Sequence, residues 1–128
     1  MSRQSRSGCP IASALDLIGD RWTLVVVRDL LTGKRAYKEF LASPEGIPTN
    51  ILADRLRHLE AGGVVERRAS DERAGRHVYA LTKKGADLLP ILQQLCRWGN
   101  RYVADSWRAP PYFMKEAPSD ALRRLARA

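Results

Sequence analysis

Between Gly46 and Arg68 the chain reads GIPTNILADRLRHLEAGGVVERR, a stretch that few folds can accommodate. Pro48 suits the first turn of a helix, and Gly62-Gly63 ends one. From about Thr49 to Ala61, Leu52, Leu56 and Leu59 share one stripe when residues are set about 100° apart. That stripe must face a core. Opposite it fall Asn50, Asp54, Arg57 and Ala61, flanked by Thr49, Ala53 and His58. A β-branched run follows the glycines at once. The chain therefore needs a fold in which one helix buries its leucines, keeps a polar outer face and passes directly into a strand.

The flanking segments supply that fold. Ile11, Leu15 and Ile18 recur at helical spacing, and Gly19 ends the segment. RWTLVVVRDLLTGK is apolar nearly all round and reads as a buried central helix closed by Gly33. YKEFLAS is a short helix with Tyr37, Phe40 and Leu41 inward. VVERRA and RHVYALT are strands of a hairpin whose long charged tip is SDERAGR. Thr82 caps a final long helix beginning at KKG, with Pro90 near enough to its start to kink rather than end it. Residues 1–8 form a polar arm, 9–105 the domain, and 106–128 a proline-interrupted extension with a short basic amphipathic end. The expected fold class is mainly α with a small β-hairpin (α+β). The order helix, helix, short helix, turn, helix, hairpin, long helix is that of a winged helix-turn-helix.

Charge points to the partner. Twenty-two Lys and Arg against fourteen Asp and Glu give +8 and a pI near 10.1, which favours a polyanion, with nucleic acid ahead of membrane or acidic protein. A groove-reading helix carries short polar residues near its N-terminus and an arginine that can bridge two acceptors of guanine. Thr49, Asn50, Ala53 and Arg57 are the candidate groove contacts. Arg68, Arg73 and Arg76 of the hairpin are candidate backbone contacts, with Lys34 and Arg35 before the short helix as further ones. Asp54 repels phosphate and is expected to pair with Arg57 or His58. Arg55, beside the leucine stripe, is a phosphate contact or an intramolecular partner. A solvated helix face is the bland reading for any one of these residues; the charged hairpin beside them favours the functional one.

Other classes fare worse. The most apolar run, WTLVVVRDLL, is interrupted by Arg28 and Asp29 and is too short to span a membrane. The N-terminus has charge but no apolar core, so no secretory signal is expected. Cys9 and Cys96 lie far apart and make no disulfide framework, which suits a cytoplasmic protein. Two histidines without a Cys-x-x-Cys leave a metal site short of ligands. His58 and His77 lack a neighbouring nucleophile and an orienting carboxylate, so no enzyme and no cofactor is expected. An interaction module for an acidic protein, a Cys9-dependent redox enzyme and an RNA binder are the rival readings. RNA modules prefer exposed aromatics on a sheet, whereas Tyr79 and the tryptophans sit in apolar settings.

CPI, ALDLIGDRWTLVVVRDLLTGKRAYKEF, GIPTNILADRLRHLEAGGVVERR and YALTKKGADLLPILQQLCRWG together resemble the HxlR-type family of bacterial winged helix-turn-helix regulators, from Cys9 to Tyr102. The resemblance implies homodimers that bind operator DNA and repress or activate nearby genes. The family's recognition helix usually begins Gly-Ile-Ser-Pro; here Gly46-Ile47-Pro48-Thr49 lacks the serine cap. The extension lies outside the resemblance.

The residues argue for a dimer as well. Leu88, Leu92, Leu95, Gly99 and Tyr102 keep heptad-like spacing, and Leu89, Ile91, Trp98 and Val103 widen the stripe. A second copy would cover it, with Leu88, Leu92, Leu95, Trp98 and Tyr102 as candidate interface residues. Two recognition helices would then sit about one DNA turn apart, roughly 34 Å, and read an inverted repeat. Cys9 precedes Pro10 at a helix start, with Arg3 and Arg6 nearby, a setting that stabilises thiolate. Some HxlR-type proteins resemble this chain in carrying a sensing cysteine here. A redox- or electrophile-sensing Cys9 and an inert one are both open, and Cys96 reads as packed core or interface. The expected partners are double-stranded DNA, a second copy, and an effector, small molecule or oxidant, of unstated identity.

Overall fold

A computed structural model describes residues 6–72 and 74–127. Helix α1, Pro10–Ile18, starts on Pro10 and ends at Gly19, whose N–H bonds the Leu15 carbonyl at 2.8 Å. Helix α2, Thr23–Leu31, is entered through Asp20. One oxygen of that carboxylate accepts the N–H groups of Trp22 and Thr23 at 2.9 and 3.1 Å, and the Thr23 hydroxyl donates to the other. Such a side chain meets the donors that a helix start leaves without partners. Val26, Val27, Leu30 and Leu31 are buried, which makes α2 the centre of the core.

Helix α3, Tyr37–Leu41, buries Phe40. Helix α4 spans Thr49–Ala61, with Leu52, Leu56 and Leu59 fully buried as their spacing predicts. Pro48 is its N-cap, one position before the first turn in which the sequence placed it. Strands β1, Val65–Ala69, and β2, His77–Leu81, pair antiparallel with Arg67 opposite Tyr79. Tyr79 turns inward against Tyr37, ring centres 6.3 Å apart.

The expected single helix from KKG onward is two. Helix α5, Lys83–Ala86, is capped by the Thr82 hydroxyl, which accepts from Gly85 N–H at 3.1 Å. Helix α6, Leu89–Tyr102, then begins afresh with Pro90 in its first turn. Proline has no N–H for the preceding turn and its ring collides with the carbonyl four residues back, so the helix restarts there rather than bending.

The extension joins the same core. Helix α7, Pro111–Lys115, buries Phe113, and α8, Pro118–Arg127, buries Ala121 and packs on α5. Gln93 on α6 donates to the carbonyls of Phe113 and Glu116, both at 2.9 Å. Arg124 donates to the Leu31 carbonyl at the end of α2 at 2.8 Å while pairing with Glu116 at 2.9 Å. Leu88 and Leu92 also face this core, whereas Leu95, Trp98 and Tyr102 point outward. Trp107 is exposed too, so two of the three tryptophans lie outside the apolar settings expected for them. No helix among the described residues is long and apolar enough to cross a membrane.

Candidate nucleic-acid interface

Helix α4 is anchored from behind. The Asp20 carboxylate that starts α2 also meets Arg55 at 3.2 Å, and His58 Nε2 lies 2.9 Å from the Leu17 carbonyl of α1. Both ties lie on one flank of the leucine stripe, toward α1 and the start of α2, so rolling the helix about its axis breaks these polar links as well as unseating the leucines. Arg55 is thus an intramolecular partner. Burial acts to raise the Asp20 carboxyl, but hydrogen bonds from Thr23 and Trp22 together with the Arg55 charge outweigh it and hold it below its ordinary value.

The face so presented holds the residues the sequence nominated. Thr49 and Asn50 are exposed at the amino end, Ala53 is half-buried, and the Arg57 side chain is 73% exposed. No side chain caps α4, so its first-turn N–H groups face outward for an external acceptor such as phosphate. Asp54 pairs most closely with Arg55, at 2.6 Å, and stands 3.9 Å from Arg57. His58 is instead turned toward Leu17. The hydrogen bond from Arg55 holds the Asp54 carboxyl below its usual range, and that pairing blunts the negative charge on the outer face of α4.

The hairpin flanks α4. Arg68 is exposed and donates to Glu66 at 2.7 Å, Arg67 approaches Glu60 at 3.9 Å, and Arg76 is exposed near the tip, where Gly75 takes a positive φ of 80°. Arg73 lies outside the described residues. Arg35 is exposed at the entry to α3, its carbonyl accepting from Tyr79 N–H at 2.9 Å, which ties that entry to β2.

Lys34 has a different position from the expected one. Its ammonium donates to Ser43 Oγ at 2.5 Å and lies 3.8 Å from Asp29. Asp29 is buried on α2 and also accepts from Ser43 Oγ at 2.5 Å and Arg28 at 2.8 Å; Arg28 reaches on to Glu45 at 2.6 Å. A buried carboxylate needs cations and donors around it, and Lys34 is one of them rather than a free phosphate ligand. This network fastens the turn before α4 to the central helix. Its only sequence signal was a charged pair, Arg28-Asp29, inside an otherwise apolar run.

Cys9 is exposed as the N-cap of α1, and its N–H donates to Ser7 Oγ at 3.2 Å. Arg6 pairs with Asp16 at 2.9 Å, so this cation is compensated rather than aimed at the thiol. Arg3 lies outside the described residues. Cys96 is half-buried on α6 against the core.

Residues 17–106 match the model of the HxlR-like helix-turn-helix family. The HTH-type transcriptional regulator YybR of Bacillus subtilis (strain 168) is 35% identical over 107 residues, covering 82% of this chain and 86% of YybR. The redox regulator HypR in its reduced form aligns with a TM-score of 0.66 at 34% identity, over 77% of this chain and 100% of that one. The reduced transcriptional regulator YodB from B. subtilis aligns with a TM-score of 0.63 at 30% identity, over 79% and 100%; YodB is also known in a quinone-bound form.

Proposed function

Because this chain belongs to the HxlR-like helix-turn-helix family of transcriptional regulators, we propose that it acts as a homodimer reading an inverted-repeat operator in duplex DNA. The observation that carries this reading is α4: its leucines are buried and one flank is tied down through Arg55 and His58, while Asn50 and Arg57 are exposed on the opposite side and Thr49 is exposed beside them. Helix α4 lies in the major groove, and Arg68 and Arg76, with Arg35, grip the backbone. Ile11 and Leu15 of α1 and Ile91, Leu95, Trp98 and Tyr102 of α6 are exposed large apolar side chains. The Trp98 and Tyr102 rings pack at a tilt of 52° with their centres 5.3 Å apart. Water disfavours such surface, and a second copy removes it from water.

Cys9 makes the dimer responsive to oxidants or electrophiles. Its exposure at a helix start and the redox character of HypR support this reading. Selection of bound duplexes from a random pool, with and without a quinone, tests both parts. Enrichment of a two-fold symmetric site, lost on quinone treatment in wild type but retained in Cys9→Ser, is the expected outcome. A pool that stays random defeats the operator reading, and an equal quinone response in Cys9→Ser removes the sensor.

A further inference from the structure

Helices α2 and α6 and residues 107–113 border an open cavity of about 570 Å³. Leu24 and Val25 of α2, Leu92 and Cys96 of α6, and Trp107 and Phe113 form apolar walls. The lining is also cationic. Arg28, Lys34 and Arg108 stand there against a single carboxylate, Asp29, which is already met by Arg28, Lys34 and Ser43. Arg108 is exposed and has no ion-pair partner among the described residues. The volume is that of a small-molecule site, and apolar walls that include Trp107 and Phe113, with the Arg108 charge left over once Asp29 and Glu45 are matched by Arg28 and Lys34, favour an aromatic anion. The third wall lies beyond residue 106, where the family match ends, so the cavity depends on the extension.

The same cavity touches the segment that sets α4. Pro44, in the turn between α3 and α4, lines it. That turn is held to α2 by Ser43 on Asp29, Lys34 on Ser43, and Arg28 on Glu45 at 2.6 and 2.8 Å. A carboxylate entering among the cations competes with Asp29 and Glu45 for Arg28 and Lys34. A ligand that binds the loosened turn better shifts the population toward it.

We propose that this cavity binds an aromatic carboxylate, and that occupancy lowers affinity for duplex DNA by releasing the Ser43–Glu45 turn. Binding stands on the cavity alone; the effect on DNA rests on the function proposed above.

The probe is 2-naphthoate, with 2-naphthamide as its uncharged counterpart, added to the full chain. Alkylation of Cys96 by iodoacetamide is followed in Cys9→Ser protein, where it is the single thiol. Naphthoate should slow alkylation, with the amide binding about tenfold more weakly because it lacks the charge-assisted bonds. Arg108→Gln should narrow the gap between acid and amide, and Val25→Trp, which projects an indole into the cavity, should abolish protection. Equal affinity for acid and amide overturns the site, as does protection that survives in folded Val25→Trp protein. Alkylation that speeds up on dilution also overturns it, because a second copy then covers the cavity. In a duplex-retention assay with unaltered protein, saturating naphthoate should weaken binding; unchanged retention overturns the coupling. Absence of any duplex binding defeats the DNA reading and leaves the alkylation result to judge the cavity.

Discussion

In the proposed function, Arg57 is the residue expected to set sequence preference. Its guanidinium is exposed and only loosely matched by Asp54 at 3.9 Å, so reaching a base edge breaks no strong bond. Arg57→Ala should weaken operator binding by about 1–3 kcal/mol and relax preference at one position of each half-site. Equal weakening on every duplex in a gel-shift series would reassign Arg57 to phosphate. Gly85 is constrained from the opposite direction. A Cβ there would overlap the Val64 carbonyl and come within 2.7 Å of Leu81 Cδ2. Backbone does not yield as a side chain does, so Gly85→Ala should destabilise the fold by about 1–3 kcal/mol in urea unfolding. At this scale the sequence was informative where one element decides the outcome: the leucines of α4 and the polar face behind them follow from spacing alone. It was silent on Lys34, because the demand that turns this side chain inward comes from Asp29 and Ser43, which only tertiary folding brings near.

Among the elements, α3 is the shorter helix of the helix-turn-helix pair and relies on its entry. Glu39 accepts from the N–H groups of Arg35 and Ala36 at 2.8 and 2.9 Å, and these bonds hold its carboxyl below the usual glutamate range. The folded state therefore binds this proton less readily than the unfolded chain. The stabilisation is complete above the ordinary glutamate pKa and is lost as pH falls through the lowered folded value. Glu39→Ala should cost about 1 kcal/mol at neutral pH, and its difference from wild type should shrink in acid. A pH-independent difference in urea midpoints would show that packing, not the carboxylate, is responsible. Element boundaries were readable where glycine or proline punctuates a periodic run, as at Gly19 and Gly62. The one punctuation read too weakly was Pro90: heptad-like leucines on both sides suggested continuity, while the missing N–H required a restart as α6.

For the molecule as a whole, the decisive quantity is the apolar surface left on one protomer. Trp98 is 63% exposed and Tyr102 65%. Trp98→Asp should shift the chain to monomer in sedimentation and weaken operator binding far more than binding of a single half-site. Unchanged sedimentation would move the interface elsewhere. The stripe on α6 suggests an interface, but periodicity could not divide it: Leu92 belongs to the chain's own core, together with Phe113 and Ala121 of the extension, and Leu88 packs against that core. The packing of the extension was not readable, since Phe113 and Ala121 find their places through contacts remote in sequence.

The bond from Arg124 to the Leu31 carbonyl spans 93 positions. A ribosome delivers residues in order, so the central helix emerges long before the side chain that closes its end. Until synthesis has passed residue 124 and that arginine has left the exit tunnel, the end of the central helix lacks this partner, so the core closes there only after the rest of the domain has been made.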